Sequence, residues 1–117
     1  MGMRTRKLEP STWRAYFDWI TSHFPAVRAE VEVEGLDLGD QVTTDPLVID
    51  GLSYDPYNRE VVVTATDVPL EHHIVDPRDI YVLEELGQPS AIEIVDADGH
   101  KQIVRITPLQ ELPPPPV

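Results

Sequence analysis

The chain has 117 residues, 41% of them apolar, which is enough for one domain with its own hydrophobic core. It contains no cysteine, which excludes disulfides, zinc–thiolate sites and thiol catalysis. Nine basic and 21 acidic residues give a net charge of −12, so nucleic-acid binding is not expected, because a polyanion would be repelled. No apolar run approaches the ~18 residues that cross a bilayer, and we therefore expect a cytoplasmic protein that binds no membrane.

Positive charge is concentrated at the N-terminus. The basic residues of the first fourteen positions are Arg4, Arg6, Lys7 and Arg14, and Glu9 is the one acidic residue among them. We predict a flexible basic arm over residues 1–9, a single domain over 10–110 and a polyproline tail over 111–117.

The segment "PSTWRAYFDWITSHF" predicts a helix with Ser11 as N-cap and Pro25 as stop signal. Its aromatic and aliphatic face recurs at steps of four, three and four residues and consists of Trp13, Phe17, Ile20 and Phe24, with Tyr16 beside it. The opposite face carries Arg14, Asp18 and Ser22. Packing of the apolar face on a sheet is the expected role of this helix.

After the helix the period changes from 3.6 to two. Residues 27–34 alternate valine or alanine with arginine or glutamate, which predicts a half-buried antiparallel strand. Further strands are predicted near residues 41–44, 47–52 and 59–66, with a glycine-containing turn at "LDLGD" and another turn at "YDPYN". Segments 91–95 and 102–107 flank "DADG", in which Asp98–Gly99 predicts a tight hairpin turn.

These elements predict an α+β fold. One N-terminal helix packs on a meandering antiparallel sheet of five to seven short strands, which we expect to curl into a small barrel or roll.

The segment "EHHIVDPRDIYVLEE" is predicted to be a strand, a turn at Asp76–Pro77 and a second strand. Adjacent side chains of a strand point to opposite faces, so His72 and His73 cannot bind the same ion. We interpret Glu71, His72 and His73 as part of an edge strand whose free backbone could pair with another chain.

An alternative interpretation is a metal site or acid–base site. His72, Asp76, Asp79 and His100 could converge in the fold, but a metal needs three or four converging ligands and their spacing does not require this. The sequence has no glycine-rich phosphate loop and no G-x-S-x-G motif. We therefore predict no catalytic residue and no cofactor, and favour a non-catalytic protein over an enzyme.

The final residues "ELPPPPV" cannot join a sheet, because proline supplies no backbone donor. A polyproline II helix over Pro113, Pro114, Pro115 and Pro116 could dock in an aromatic groove of a partner or be an inert end.

From Arg4 to Leu109 the chain resembles the domain of unknown function 5335 family, which is uncharacterised and mostly bacterial. The resemblance rests on the order of "TRKLEPSTW", "VEVEGLDLGDQV", "PLVIDGLSYD", "HHIVDPRDIYVLEE" and "AIEIVDADGHKQIVRITP". It implies a compact helix-plus-sheet domain of this length and no particular activity. His72 matches a recurrent histidine of the family, and the polyproline end departs from its pattern.

The sequence thus predicts a small acidic accessory or binding domain that acts through a protein partner or a second copy of itself. The alternative is a metal-dependent ligand binder or enzyme centred on His72, Asp76, Asp79 and His100.

Overall fold

The structure, a computed structural model, describes residues 2–23, 27–32, 36–38, 41–43, 47–65 and 71–108. A turn of 3-10 helix, Pro10–Thr12, leads into the α-helix α1, Trp13–Ser22. The described residues form ten strands: β1 Met3–Lys7, β2 Val27–Glu32, β3 Leu36–Leu38, β4 Gln41–Thr43, β5 Leu47–Asp55, β6 Glu60–Ala65, β7 Glu71–Val75, β8 Pro77–Glu85, β9 Gln88–Asp96 and β10 Lys101–Pro108. No helix in these ranges is long and apolar enough to cross a membrane.

The helix buries the predicted face. Its buried residues are Trp13, Tyr16, Phe17 and Ile20, and its exposed residues include Arg14, Asp18 and Ser22. Ser11 is not the N-cap, so that prediction is wrong. Proline suits the first position of a helical turn, so the 3-10 turn already begins at Pro10 and contains Ser11. Phe24 and Pro25 lie outside the described residues.

Eight strands form one antiparallel sheet in the order β1-β8-β9-β10-β2-β5-β6-β7, and β3 pairs with β4 in a separate ladder. The predicted combination of one N-terminal helix with an antiparallel sheet is confirmed, but the sheet has eight strands among the described residues where five to seven were predicted. The predicted small barrel or roll is not confirmed, because β1 and β7 are the outer strands of this order and no ladder joins them among the residues described.

The N-terminal arm is a strand and not a flexible segment, contrary to expectation. β1 pairs antiparallel with β8, with Met3 opposite Glu85 and Lys7 opposite Tyr81. Arg6 Nε donates to Oε1 of the largely buried Glu84 at 3.2 Å. β1 was not predicted because three of its five residues are basic, and basic residues have a low β-propensity. Such a composition is typical of edge strands.

The strands predicted after the helix are confirmed, with one addition and several changed bounds. The residues of β3 were assigned to a turn, but they form a hairpin with β4, Leu36 lying opposite Thr43. β5 continues to Asp55, where the predicted turn begins: the Asp55 carboxylate accepts the backbone N–H of Tyr57 at 2.9 Å. The last residues of the chain, 109–117, with the predicted polyproline tail, lie outside the described residues.

Two tight hairpins connect β8, β9 and β10. Leu86 and Gly87, with φ angles of 53° and 77°, form the turn between β8 and β9, as expected for a two-residue turn with positive φ at both positions. The predicted "DADG" hairpin between β9 and β10 is confirmed. Of its Asp98–Gly99 pair only Gly99 has a positive φ, at 85°.

The core lies between α1 and the sheet. Its fully buried residues come from the helix and from six strands and include Phe17, Ile20, Val61, Val63, Ile80, Val82, Ile92, Ile94 and Val104. One cluster thus joins α1 to strands β5 to β10, and β5 is the strand that packs most closely against the helix.

Candidate functional site

Strand β7 is the last strand in the sheet order and, in the part of the chain described, pairs only with β6. Glu71, His73 and Val75 are exposed, whereas His72 is half-buried and Ile74 is buried. The two adjacent histidines therefore lie on opposite faces of the strand, as predicted. An outer strand presents backbone N–H and C=O groups along its free edge, which can pair with another strand.

On the exposed face, His73 lies between two carboxylates. Its Nδ1 is 2.6 Å from Oε2 of Glu60 on β6, and its Nε2 is 3.7 Å from Oε2 of Glu71. The hydrogen bond to Glu60 is the main cause of the raised pKa of His73, with both carboxylate charges adding to it. The face is therefore acidic, with one histidine that gains a proton readily.

On the interior face, Nε2 of His72 donates to Oε1 of the largely buried Gln102 at 2.9 Å. Gln102 belongs to β10, which is not a neighbour of β7 in the sheet. This contact joins the outer strand to the middle of the sheet across the interior, which assigns His72 a structural partner.

Strand β7 continues into β8 through a single residue, Asp76, which has a φ of 55°. The Asp76 N–H donates to the carbonyl of Arg59 at 2.9 Å, and the Asp76 carbonyl accepts from the Ala97 N–H at 3.0 Å. Arg59 also has a positive φ, 53°, and its Nη2 donates to Oδ1 of Asp76 at 2.7 Å. The corner thus fastens the β5–β6 turn to the β9–β10 turn and fixes where β7 ends.

The four residues predicted for a metal site each contact a different neighbour. The neighbours of His72, Asp76, Asp79 and His100 are, in this order, Gln102, Arg59, Lys7 and Asp96. The four do not form a group of converging ligands among the described residues.

One group of three ligand-bearing side chains does occur in the described part. Ligand atoms of Asp96, Asp98 and His100 lie within 4.8 Å of one another in the β9–β10 turn, and of these only His100 was a predicted site residue. Oδ1 of Asp96 accepts the N–H groups of Asp98 and His100, both at 2.9 Å. Burial raises the pKa of Asp96, but these hydrogen bonds and the His100 charge outweigh it, so that the pKa is lowered overall. The carboxylate of Asp96 is thus engaged in stabilising the turn.

A shallow groove of about 580 Å³ lies on the outer face of the sheet and is lined by residues of β1, β8, β9 and β10. Its apolar lining residues are Met3, Tyr81, Leu83, Ala91, Ile103 and Ile106. Sequence reasoning missed this face, because it depends on the pairing of β1 with β8.

In the part of the chain that the structure describes, these features define a small α+β domain with one α-helix, an eight-stranded antiparallel sheet and two outer strands of different charge. The chain belongs to the family of unknown function DUF5335, whose model matches residues 4–115, so the predicted family is confirmed. It is similar to an uncharacterized protein of Aquifex aeolicus (strain VF5), with 37% identity over 111 residues, which cover 95% of this chain and 99% of that protein. No solved structure matches the chain.

Proposed function

We propose that the protein is a non-catalytic binding domain whose β7 edge takes up an extended, basic segment of a partner protein. The observation that carries the proposal is the position of β7 as an outer strand with an acidic exposed face. An added strand would gain backbone hydrogen bonds along β7, and its alternate side chains would lie beside Glu71, His73 and Val75.

Charge specifies the kind of segment. The side chain of Glu71 is 66% exposed, Glu60 of the neighbouring strand β6 lies opposite Val75, and the chain carries a net charge of −12. A segment with lysine or arginine at alternate positions would be attracted to this face, and an apolar side chain would suit the exposed Val75. An acidic segment would be repelled.

The surroundings of the titratable groups support a non-catalytic function. Among the described residues, the carboxyl groups with a shifted pKa are Asp55 and Asp96, and both accept backbone hydrogen bonds in turns. The histidine with a shifted pKa, His73, lies on an open strand face and not in a cleft. Catalytic groups typically combine a shifted pKa with a cleft, and this combination is missing from these groups.

The test is an NMR titration of the labelled protein with a synthetic nine-residue peptide that alternates lysine and valine. We expect chemical-shift changes concentrated in the amides of β6 and β7. Glu71→Lys should weaken binding at least fivefold, whereas Asp18→Lys, the same charge change on the exposed face of α1, should leave it unchanged. The proposal would be overturned if both variants lost affinity for the peptide equally, or if the chemical-shift changes lay away from β7.

A second candidate function, binding of a divalent cation, is favoured by one observation, the convergence of Asp96, Asp98 and His100. Cation binding is opposed by the two backbone hydrogen bonds that the Asp96 carboxylate already accepts in the turn. We therefore expect zinc, manganese and calcium to leave the melting temperature unchanged. A rise that is present in the wild type and absent in His100→Ala would favour this function instead, because a ligand that binds the native state stabilises it.

A further inference from the structure

The second outer strand of the sheet is β1, and its charge is opposite to that of β7. β1 pairs only with β8 among the described residues and carries Arg4, Arg6 and Lys7. Both outer strands are five residues long. Sheet proteins commonly avoid edge-to-edge association by charges on their outer strands, and that protection works when the facing charges repel. Here a basic edge and an acidic edge attract each other.

The side chains of β1 also alternate between two environments. Met3 and Thr5 line the groove on the outer face, and Lys7 points to the same face, where its Nζ lies 3.1 Å from Oδ1 of Asp79. Arg6, between them, contacts the largely buried Glu84. The outer-face residues of β1 are thus Met3, Thr5 and Lys7.

We propose that β1 of one copy of the chain adds to β7 of another copy in an antiparallel ladder. This inference rests on the proposed function of β7 and names its partner. Pairing five residues with five places Met3 opposite Val75, Thr5 opposite His73 and Lys7 opposite Glu71. Outer faces then meet outer faces along the whole ladder.

Two of these cross-strand pairs, Met3 with Val75 and Lys7 with Glu71, are favourable. Met3 and Val75 are 65% and 61% exposed in the single chain, and the pairing covers two large apolar side chains that solvent otherwise surrounds. Lys7 and Glu71 have opposite charges and are both exposed, so they can approach without breaking a buried contact. Like charges do not face each other in this register.

The interface is heterologous, because it joins two different surfaces. Each added copy leaves one β1 and one β7 free, so the assembly grows as a ring or an open chain and does not stop at a two-fold dimer. A five-residue ladder buries much less than the ~1,200 Å² of a standard interface, and we expect a dissociation constant on the order of 0.1 mM.

The experiment is sedimentation equilibrium of the full chain from about 10 μM to 1 mM, with circular dichroism to confirm folding of each variant. Lys7→Glu and Glu71→Lys should each weaken association at least fivefold, and the double variant should restore it. Arg14→Glu and Asp18→Lys make the same two charge changes on the exposed face of α1 and should have no effect. Since Glu71→Lys lowers the net negative charge, general repulsion between copies predicts stronger association for that variant, opposite to our expectation.

Mixing the two single variants gives a second test. Glutamate at position 7 of one variant faces lysine at position 71 of the other, and lysine at position 7 of the second faces glutamate at position 71 of the first. Contacts between copies of the same variant bring like charges together. The mixture should therefore recover the association of the wild type, with copies of the two variants in alternation, although each variant alone associates at least fivefold more weakly. A wild type that stays monomeric at 1 mM, or association insensitive to Lys7→Glu, would overturn the inference.

The peptide titration separates the two proposals. Peptide binding at β7 of a strictly monomeric wild type would leave the proposed function standing and remove the self-association. Failure of the peptide to bind β7, together with association insensitive to Glu71→Lys, would remove both.

Discussion

Replacing Asp76 by alanine and by glycine measures how much backbone strain the corner between β7 and β8 contains. Asp76 has a φ of 55°, in the left-handed region, and both its backbone N–H and its carbonyl are hydrogen-bonded. Each replacement removes the carboxylate that accepts from Arg59, so this loss cancels when the two variants are compared. Only alanine retains a Cβ atom.

The difference between the variants follows from two opposing effects. A Cβ atom in the left-handed region costs about 1–2 kcal/mol, and aspartate tolerates the region better than alanine does. Glycine avoids this cost but loses about 0.5–1 kcal/mol through the greater freedom of its unfolded chain. We therefore expect Asp76→Ala to be less stable than Asp76→Gly by about 0.5–1 kcal/mol.

Urea unfolding followed by the fluorescence of Trp13 and Trp19, which are buried or partly buried in the core, measures these free energies, provided that the m-values agree. Ser53, an exposed residue of β5, is the matched control. There the order should reverse, with Ser53→Ala more stable than Ser53→Gly, because an ordinary strand position disfavours glycine. If Asp76→Ala is at least as stable as Asp76→Gly, the corner does not hold the left-handed conformation in solution.

Three further predictions concern other parts of the fold. The buried hydroxyl of Tyr16 has no hydrogen-bond partner among the described residues, so Tyr16→Phe should raise the free energy of unfolding by about 1 kcal/mol. A lower free energy of unfolding would indicate that the hydroxyl has a partner in solution. A Cβ atom at Gly51 would lie 2.6 Å from Oγ1 of Thr64, so Gly51→Ala should cost about 1–3 kcal/mol. Gly51→Ala should lower the free energy of unfolding by less when Thr64 is also replaced by alanine. If the effects of the two substitutions on the free energy of unfolding simply add, the contact between the two residues is contradicted. The pKa of His73 is raised above 6.5, chiefly by Glu60, so its stabilisation is complete below about pH 6.5 and is lost as the pH rises through the folded-state pKa. The wild type should therefore melt at a higher temperature than His73→Gln, and the difference should be larger at about pH 5.5 than at about pH 8. A difference that does not change with pH would refute the ion pair between His73 and Glu60.

Local spacing in the sequence determined which side chains share a face. The steps between Trp13, Phe17 and Ile20 fixed the buried side of α1, and the period of two separated His72 from His73. The "DADG" turn fixed the hairpin between β9 and β10. Each of these features depends on residues of one element or of two elements joined by a few residues, so the covalent geometry of the chain was sufficient to predict them.

Only the tertiary structure decided which strands pair and which distant residue each side chain contacts. His72 points inward, where the side-chain oxygen of Gln102, 30 residues away in the chain, accepts a hydrogen bond from it, and β1 is a strand because β8 is available to pair with it. Arg6 and Glu84 stand 78 residues apart in the chain and 3.2 Å apart in space. Periodicity carries no information about such distant neighbours, because it repeats along one element, whereas sheet order and burial are set by the packing of all elements together.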